Sequence, residues 1–391
     1  MTLPGRIFLH SPGPTNIPDR VLRAMHRPCE DFAAPAFQDL ARSCLSDLSR
    51  VFRTEGESFA FSTNGHGTWE IPLVNLVEPG SAVLVPLAGR FSGAWAEMAE
   101  KLGLEVITTP PDLGRAVDPQ AVEDALRADK AGRIAAVLTV HTETASSART
   151  DLEAVRAAID AVGHPALYVV DAIASLAVER FEMDAWKIDC ALTASQKGLM
   201  LPPGMGFAAL GERAMQVAER CSHPRRYWDI QFRRGDAGYQ WFHGTPPLQH
   251  VWGLREALDM IFEQGLDAVI ARHARLAEAT RAAVAHWSQA GTLDFQTVRP
   301  EERSNAVTAI RTTDGTDPET MRKRARERYN VVLGGGLGEL QGRVFRIGHL
   351  GDLNEPMLLG ALATVELAMR DTALACTEGG VVAAVRALST R

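Results

Sequence analysis

The chain has 391 residues, 46% of them hydrophobic and 23% charged, which excludes a disordered chain and suits a globular enzyme of one large and one smaller domain. Its 41 basic residues against 48 acidic ones leave a net charge of −7, with no basic run and only 6% aromatics, so nucleic acid is not an expected partner. No stretch reaches the roughly 18 uninterrupted apolar residues of a membrane helix, and the start, Met1-Thr2-Leu3-Pro4-Gly5-Arg6, lacks the charged-then-apolar order of a signal peptide, so the cytoplasm is the expected compartment.

Residues 1–20 contain Pro12, Pro14 and Pro18, which exclude helix, and read as an N-terminal arm. Across 21–52 apolar residues such as Phe37, Ala41, Cys44 and Leu48 recur at helical spacing, predicting an amphipathic helix and a subunit contact. From about 60 to 210 short apolar strands (82–85, 104–108, 134–140, 166–170, 190–193) alternate with helices (93–102, 119–128, 151–162). Strands without a polar face, interleaved with helices, predict an α/β fold with a mostly parallel sheet covered on both sides. Helical stretches over 246–264 and 266–289 read as a bridge. Short strands at 295–298, 306–311, 331–333 and 344–347, mixed with two helices, predict a smaller α+β domain that the arm joins. The expected division is an arm 1–20, a large domain 21–285 and a small domain 286–391.

Cys29, Cys44, Cys190, Cys221 and Cys376 form no C-x-x-C pair, so disulfides and metal are not expected and the cysteines read as small apolar residues. The chemistry concentrates elsewhere. In Thr193-Ala194-Ser195-Gln196-Lys197-Gly198-Leu199 a lysine follows an apolar run and precedes Gly198 and Pro202-Pro203-Gly204, which sets it on a strand end or tight turn. Most loop lysines are solvated, but one facing a cavity loses hydration, drops its pKa and can form a Schiff base. Twenty-six residues earlier, Tyr168-Val169-Val170-Asp171 reads as a buried strand ending in a carboxylate, placed to pair with a pyridinium nitrogen. Asn64-Gly65-His66-Gly67-Thr68 lies between an apolar run and a helical pattern, where free amides cradle a phosphate. Pro72 requires that helix to begin near Thr68 or to kink.

With these residues, and with Ser11-Pro12-Gly13-Pro14-Thr15-Asn16-Ile17-Pro18, Gly80, His141-Thr142-Glu143-Thr144 and Phe345-Arg346-Ile347-Gly348-His349-Leu350-Gly351-Asp352, the chain resembles the class V aminotransferases of fold type I, in the serine:glyoxylate and alanine:glyoxylate group. The resemblance runs over nearly the whole chain. It implies a fold type I transferase with a seven-stranded-type sheet, pyridoxal 5′-phosphate as cofactor, and a homodimer with the active site at the subunit interface. Lys197 would carry the cofactor and move protons, with Asp171 on the ring nitrogen. Gly65, His66, Gly67, Gln196 and, from the partner subunit, Thr245 would contact the phosphate, Phe91 would stack on the ring, and Thr144 would bond its phenolic oxygen. Arg346 would grip the substrate carboxylate as a rigid fork, with Asn16 and Phe32 also in substrate binding and Glu143 structural.

Departures from the family pattern are visible. Glu143-Thr144 continues as Ala145-Ser146-Ser147-Ala148 where a small residue and then Thr-Gly-Val is usual. Trp241 and Phe242 stand where a tyrosine often precedes the threonine. Asp31-Phe32-Ala33-Ala34 replaces an Asp-His-Arg-Ser segment, predicting an apolar wall unfavourable to a donor with a second carboxylate. Gly334-Gly335-Gly336-Leu337-Gly338 fails the dinucleotide fingerprint and reads as a flexible substrate-side loop. The implied activity moves an amino group from serine or alanine to a 2-oxo acid, glyoxylate first. Aspartate or another small donor, and a lyase or desulfurase on the same fold, are the alternatives, although Cys376 sits poorly for a desulfurase nucleophile. A binding protein without chemistry is opposed by the intact Lys197, Asp171 and Arg346.

Overall fold

The computed structural model describes residues 4–313 and 315–389, so Met1-Thr2-Leu3 of the expected arm and leader reading lie outside the described residues. A seven-stranded sheet runs in the order Glu57–Phe61, Gly206–Leu210, Cys190–Ala194, Leu167–Asp171, Ile134–Val140, Ala82–Pro86 and Glu105–Thr109. Only Gly206–Leu210 opposes its neighbours; every other recorded pairing in this sheet is parallel. The inner strands are buried along nearly their whole length because both faces are covered, with only Ala135 half-buried. Alternation divides them. Leu84, Tyr168 and Val170 face a core shared with the helices Pro35–Phe52 and Leu248–Gln264, while Val83, Val85 and Val169 face one shared with Gly65–Asn75 and Arg90–Lys101.

A second sheet of five strands is ordered Phe8–His10, Val331–Gly335, Val344–Gly348, Val307–Thr312 and Leu293–Phe295. The arm strand Phe8–His10 pairs parallel with Val331–Gly335. The Asn16 side chain holds the following turn: its Oδ1 accepts the Leu9 amide and its Nδ2 donates to the Leu9 carbonyl, each at 3.0 Å. The long helix Leu266–Trp287 joins the two sheets' cores, with Val269 in the first and Leu276, Ala283 and Trp287 in the other, ahead of the division expected at 285/286.

Two expectations are corrected. The helix read over 21–52 is two helices, Asp19–Met25 and Pro35–Phe52. Pro28 lies in the gap, and Pro35, whose missing N–H costs nothing at the first helical position, opens the second helix. Gly334 and Gly335 are not a flexible loop but strand residues opposite Arg346 and Phe345. The 145–148 segment is a tight hairpin between Thr142–Glu143 and Ala148–Arg149, and Ser147 adopts φ 68°, the left-handed conformation that glycine serves where the family pattern has it.

Because both backbone groups of Leu9 depend on one amide side chain, Asn16→Ala is expected to cost about 1–3 kcal/mol. Faster hydrogen exchange at Leu9 and a lower melting temperature would show it; unchanged exchange would remove the staple.

Candidate active site

The strand Cys190–Ala194 ends in a turn locked by Ser195, whose Oγ donates to the Pro202 carbonyl at 2.7 Å and accepts the Met205 amide at 3.2 Å. Lys197 rides on this turn. Its Nζ donates to the Pro12 carbonyl of the arm, and the arm is fixed on the same turn by the Thr15 amide bonding the Gln196 carbonyl at 3.2 Å. Gly13 is required here: its φ is +117°, and a Cβ would sit 2.6 Å from Lys197 Cε. Lys197 is only half-buried by surface because it faces a cavity, yet its amine is deep in protein. Lost hydration, helped by the nearby Arg346 charge and opposed by Asp171, lowers its pKa to about 8.

The cavity measures about 290 Å³, and Lys197, Gln196, Asp171, Thr144, His66 and Phe91 are on its wall. Asp171, at the carboxyl end of its strand, accepts from Trp69 Nε1 at 2.8 Å and from the Ile173 amide at 2.7 Å. Burial outweighs these bonds and raises the carboxyl to about 6. Trp69 lies one turn along the helix from Gly65, stacks on Trp95 with ring centroids 6.0 Å apart, and stands 4.5 Å from the His66 ring and 6.3 Å from the Phe91 ring. Burial, with the Arg90 charge second, lowers the His66 pKa.

The helix starts at Gly65 rather than Thr68, with Pro72 accommodated inside it. Asn64 caps it through the Gly67 amide at 3.2 Å, and the Thr68 amide reaches the Asn64 carbonyl. Among the described residues the amides of Gly65 and His66 take no acceptor. They form the anion-receptive start of this helix, with Gly67 already satisfied.

Arg346 lies just behind the wall, 7% exposed. Its Nη1 donates to the Thr144 carbonyl at 2.9 Å and its Nε to the Gly335 carbonyl at 2.7 Å, and among the described residues no carboxylate lies within ion-pair distance. Burial, then the Arg322 charge, lowers its pKa to about 10. Buried Glu143 accepts the Phe91 amide at 2.9 Å and the Ser92 amide at 3.2 Å; burial raises it to about 7.

Three expected residues stand apart within one chain. Asn16 spends both ends of its amide on Leu9. Phe32 lies in the turn before Pro35–Phe52, half-buried against the chain's own core instead of on the cavity wall. Thr245 is exposed. The cavity wall also carries Trp69, Gly13, Thr142, Ile173 and Ala174, to none of which the sequence assigns a role of its own. Helical periodicity from Gly65 pointed to Trp69, and the strand-end rule to the residues after Asp171; nothing local marked Gly13.

The cavity suits a phosphorylated pyridine aldehyde. Its buried Gln196 Oε1 and Thr142 Oγ1 have no partner, and beside them lie free helix amides, a carboxylate and an amine close to losing its proton.

The family model for "Aminotransferase class-V" matches residues 7–337. A serine–glyoxylate aminotransferase of Methylorubrum extorquens is 45% identical over 97% of this chain and 95% of its own length. An L-aspartate–glyoxylate aminotransferase of Paracoccus denitrificans is 38% identical, covering 99% of this chain and 96% of the relative. The crystal structure of an alanine–glyoxylate aminotransferase from Nostoc sp. superposes with a TM-score of 0.84 at 30% identity, over 95% of this chain and 97% of that one. A buried lysine amine, a strand-end carboxylate and an open helix start, on a chain matched along most of its length, therefore mark a member of the class-V aminotransferase family, enzymes that work with pyridoxal phosphate.

Proposed function

We propose that this aminotransferase moves the amino group of a small amino acid, serine or alanine, to glyoxylate. The observation that carries the reading is the Lys197 amine, buried and with a pKa near 8, on the wall of a cavity of about 290 Å³. That is at the low end of the roughly 300–1,000 Å³ typical of ligand sites. Relatives named for serine, aspartate and alanine as donors support a small amino acid. The similarity to enzymes named for glyoxylate supports the acceptor. Phe32, off the wall, carries no part of this.

Pyridoxal phosphate, when bound, supplies the electron sink that acidifies the donor Cα–H. The protein's share follows from the site. Lys197 would hold the cofactor through its aldehyde and, once its amine is free, would serve as the base and acid that carries the donor's Cα proton. Asp171, fixed by Trp69 and the Ile173 amide, would hold the proton on the ring nitrogen. The free amides of Gly65 and His66, with Gln196, would receive the phosphate, whereas Gly67 spends its amide on Asn64; Phe91 would cover the ring and Thr144 would bond the phenolic oxygen. Arg346 orients the α-carboxylate. Its Nη2 makes no bond among the described residues and is the free point of contact.

We further propose a homodimer in which the exposed Thr245 completes the partner's phosphate site. Exposed Tyr227 and Tyr239 on the same segment support a contact surface there. Five unpaired cysteines support a reducing compartment, the cytoplasm.

Borohydride reduction should fix the cofactor to Lys197, and Lys197→Ala should abolish the label and nearly all turnover; a label on another lysine sinks the assignment. Capture of the cofactor by the apoprotein should accelerate roughly tenfold per pH unit up to about pH 8 and then level off, because only the neutral amine attacks and the folded pKa is the lowered one. A capture rate still climbing through pH 10 would place the amine in water. Arg346→Lys should raise substrate KM by about 10- to 100-fold with kcat less affected, since a point charge replaces a fork. In a donor panel against glyoxylate, serine or alanine should exceed aspartate in kcat/KM; the reverse order would assign aspartate as donor.

A further inference from the structure

Glu143 is a buried carboxylate beside the cavity for which the proposed chemistry has no use. It is 0% exposed, and its side chain leaves the hairpin strand to cap a helix elsewhere in the chain. One oxygen, Oε2, accepts the amides of Phe91 at 2.9 Å and Ser92 at 3.2 Å, while Oε1 accepts the Ala145 amide at 3.2 Å. The helices Pro119–Ala128, Leu152–Val162, Pro318–Tyr329 and Glu355–Asp371 take their caps from the residue just before them, Asp118, Asp151, Asp317 and Asn354. The helix Arg90–Lys101 cannot. Its N-cap is Gly89, at φ +156°, where a Cβ would lie 2.7 Å from Glu143 Cγ. The chain has cleared space for a cap imported from another element, although burying that carboxylate pushes its pKa up to about 7.

An exposed local cap would stabilise the helix as well, so the import needs a different reason. The two ends of Glu143 supply one. Phe91, whose amide it holds, stands on the cavity wall with Trp69 and His66. Thr144, the next residue in the chain, is on the opposite side of the clamp, on the same cavity, and its carbonyl accepts from Arg346 Nη1. We propose that Glu143 is a positioning residue: by tying the Phe91 and Ser92 amides to the strand end that carries Thr144, it fixes the aromatic wall of the cavity relative to the Arg346 guanidinium. The role rests on the reading of that cavity as the cofactor and donor site. Cofactor face and carboxylate grip are then set by one side chain that touches neither ligand.

The test is Glu143→Gln in the full-length protein. A glutamine offers one carbonyl oxygen, so either the helix amides or the Ala145 amide must face an NH₂ group. The expected variant keeps its far-UV circular dichroism but binds pyridoxal phosphate about tenfold more weakly, as one lost charge-assisted bond implies. The visible circular dichroism of its bound cofactor should shift, and donor KM should rise more than kcat falls. In a Phe91→Leu background the same substitution should cost little further cofactor affinity, because the two changes share one route. Wild-type affinity and visible dichroism in a folded Glu143→Gln protein, or additive losses in the double variant, would overturn the proposal. So would failure of both Glu143→Gln and Glu143→Asp to fold, which would assign the carboxylate to the fold alone. Borohydride labelling in the same preparations separates the underlying assignment. A label away from Lys197 removes the cavity reading, whereas a correct label with unchanged affinity removes only Glu143's role.

Discussion

An amine held away from water is the constraint on which the rest of this molecule depends. Ordinary lysines keep their ammonium hydrated; Lys197 gives it one protein acceptor, the Pro12 carbonyl, and a cavity. That contact demands a glycine at position 13, an arm lying across the lysine turn, and a second sheet to anchor the arm through Phe8–His10. The two cores are thereby tied at the wall of the cavity.

The charges around the cavity follow a consistent pattern. Asp171 and Glu143 are buried carboxylates bonded by amides and an indole rather than by cations, and burial raises both. Lys197 and Arg346 are buried cations bonded by carbonyls, and burial lowers both. Direct ion pairs would have neutralised the four groups against each other. Kept apart by neutral dipoles, the four groups retain their own shifted pKa values, which leaves Lys197 close to its neutral form and Glu143 committed to a helix start. The cost of burying unpaired charge is offset by two or three hydrogen bonds at Asp171, Glu143 and Arg346, and at Lys197, with its single bond, by the shift toward the neutral amine.

The sheet makes this arrangement possible by collecting strand ends. Asp171 ends one parallel strand, the Thr142–Glu143 segment follows another, and Lys197 follows a third, so residues far apart in sequence meet beyond the carboxyl ends of the strands. The helix starts at Gly65 and Arg90 open on the same region and bring its amides and aromatic rings.

The sequence by itself determined the α/β alternation, because strands buried on both faces are apolar throughout and helices are periodic. It also determined the lysine, the strand-end aspartate and the glycine-bounded helix start, since each lies within a few residues of the pattern that reveals it. Local patterning ran out at the break near Pro28 and at Gly334-Gly335. A proline could interrupt or merely bend the first pattern, and two glycines show as strand residues only in their pairing with Arg346 and Phe345. Tertiary structure alone decided that Asn16 staples the arm, that Phe32 turns to its own core, that Trp69 bonds Asp171, and that Glu143 caps a helix 51 and 52 residues away. Each is a contact between elements distant in sequence, fixed by how the elements pack, and side chains of the same type in the same local pattern would serve equally well pointing elsewhere.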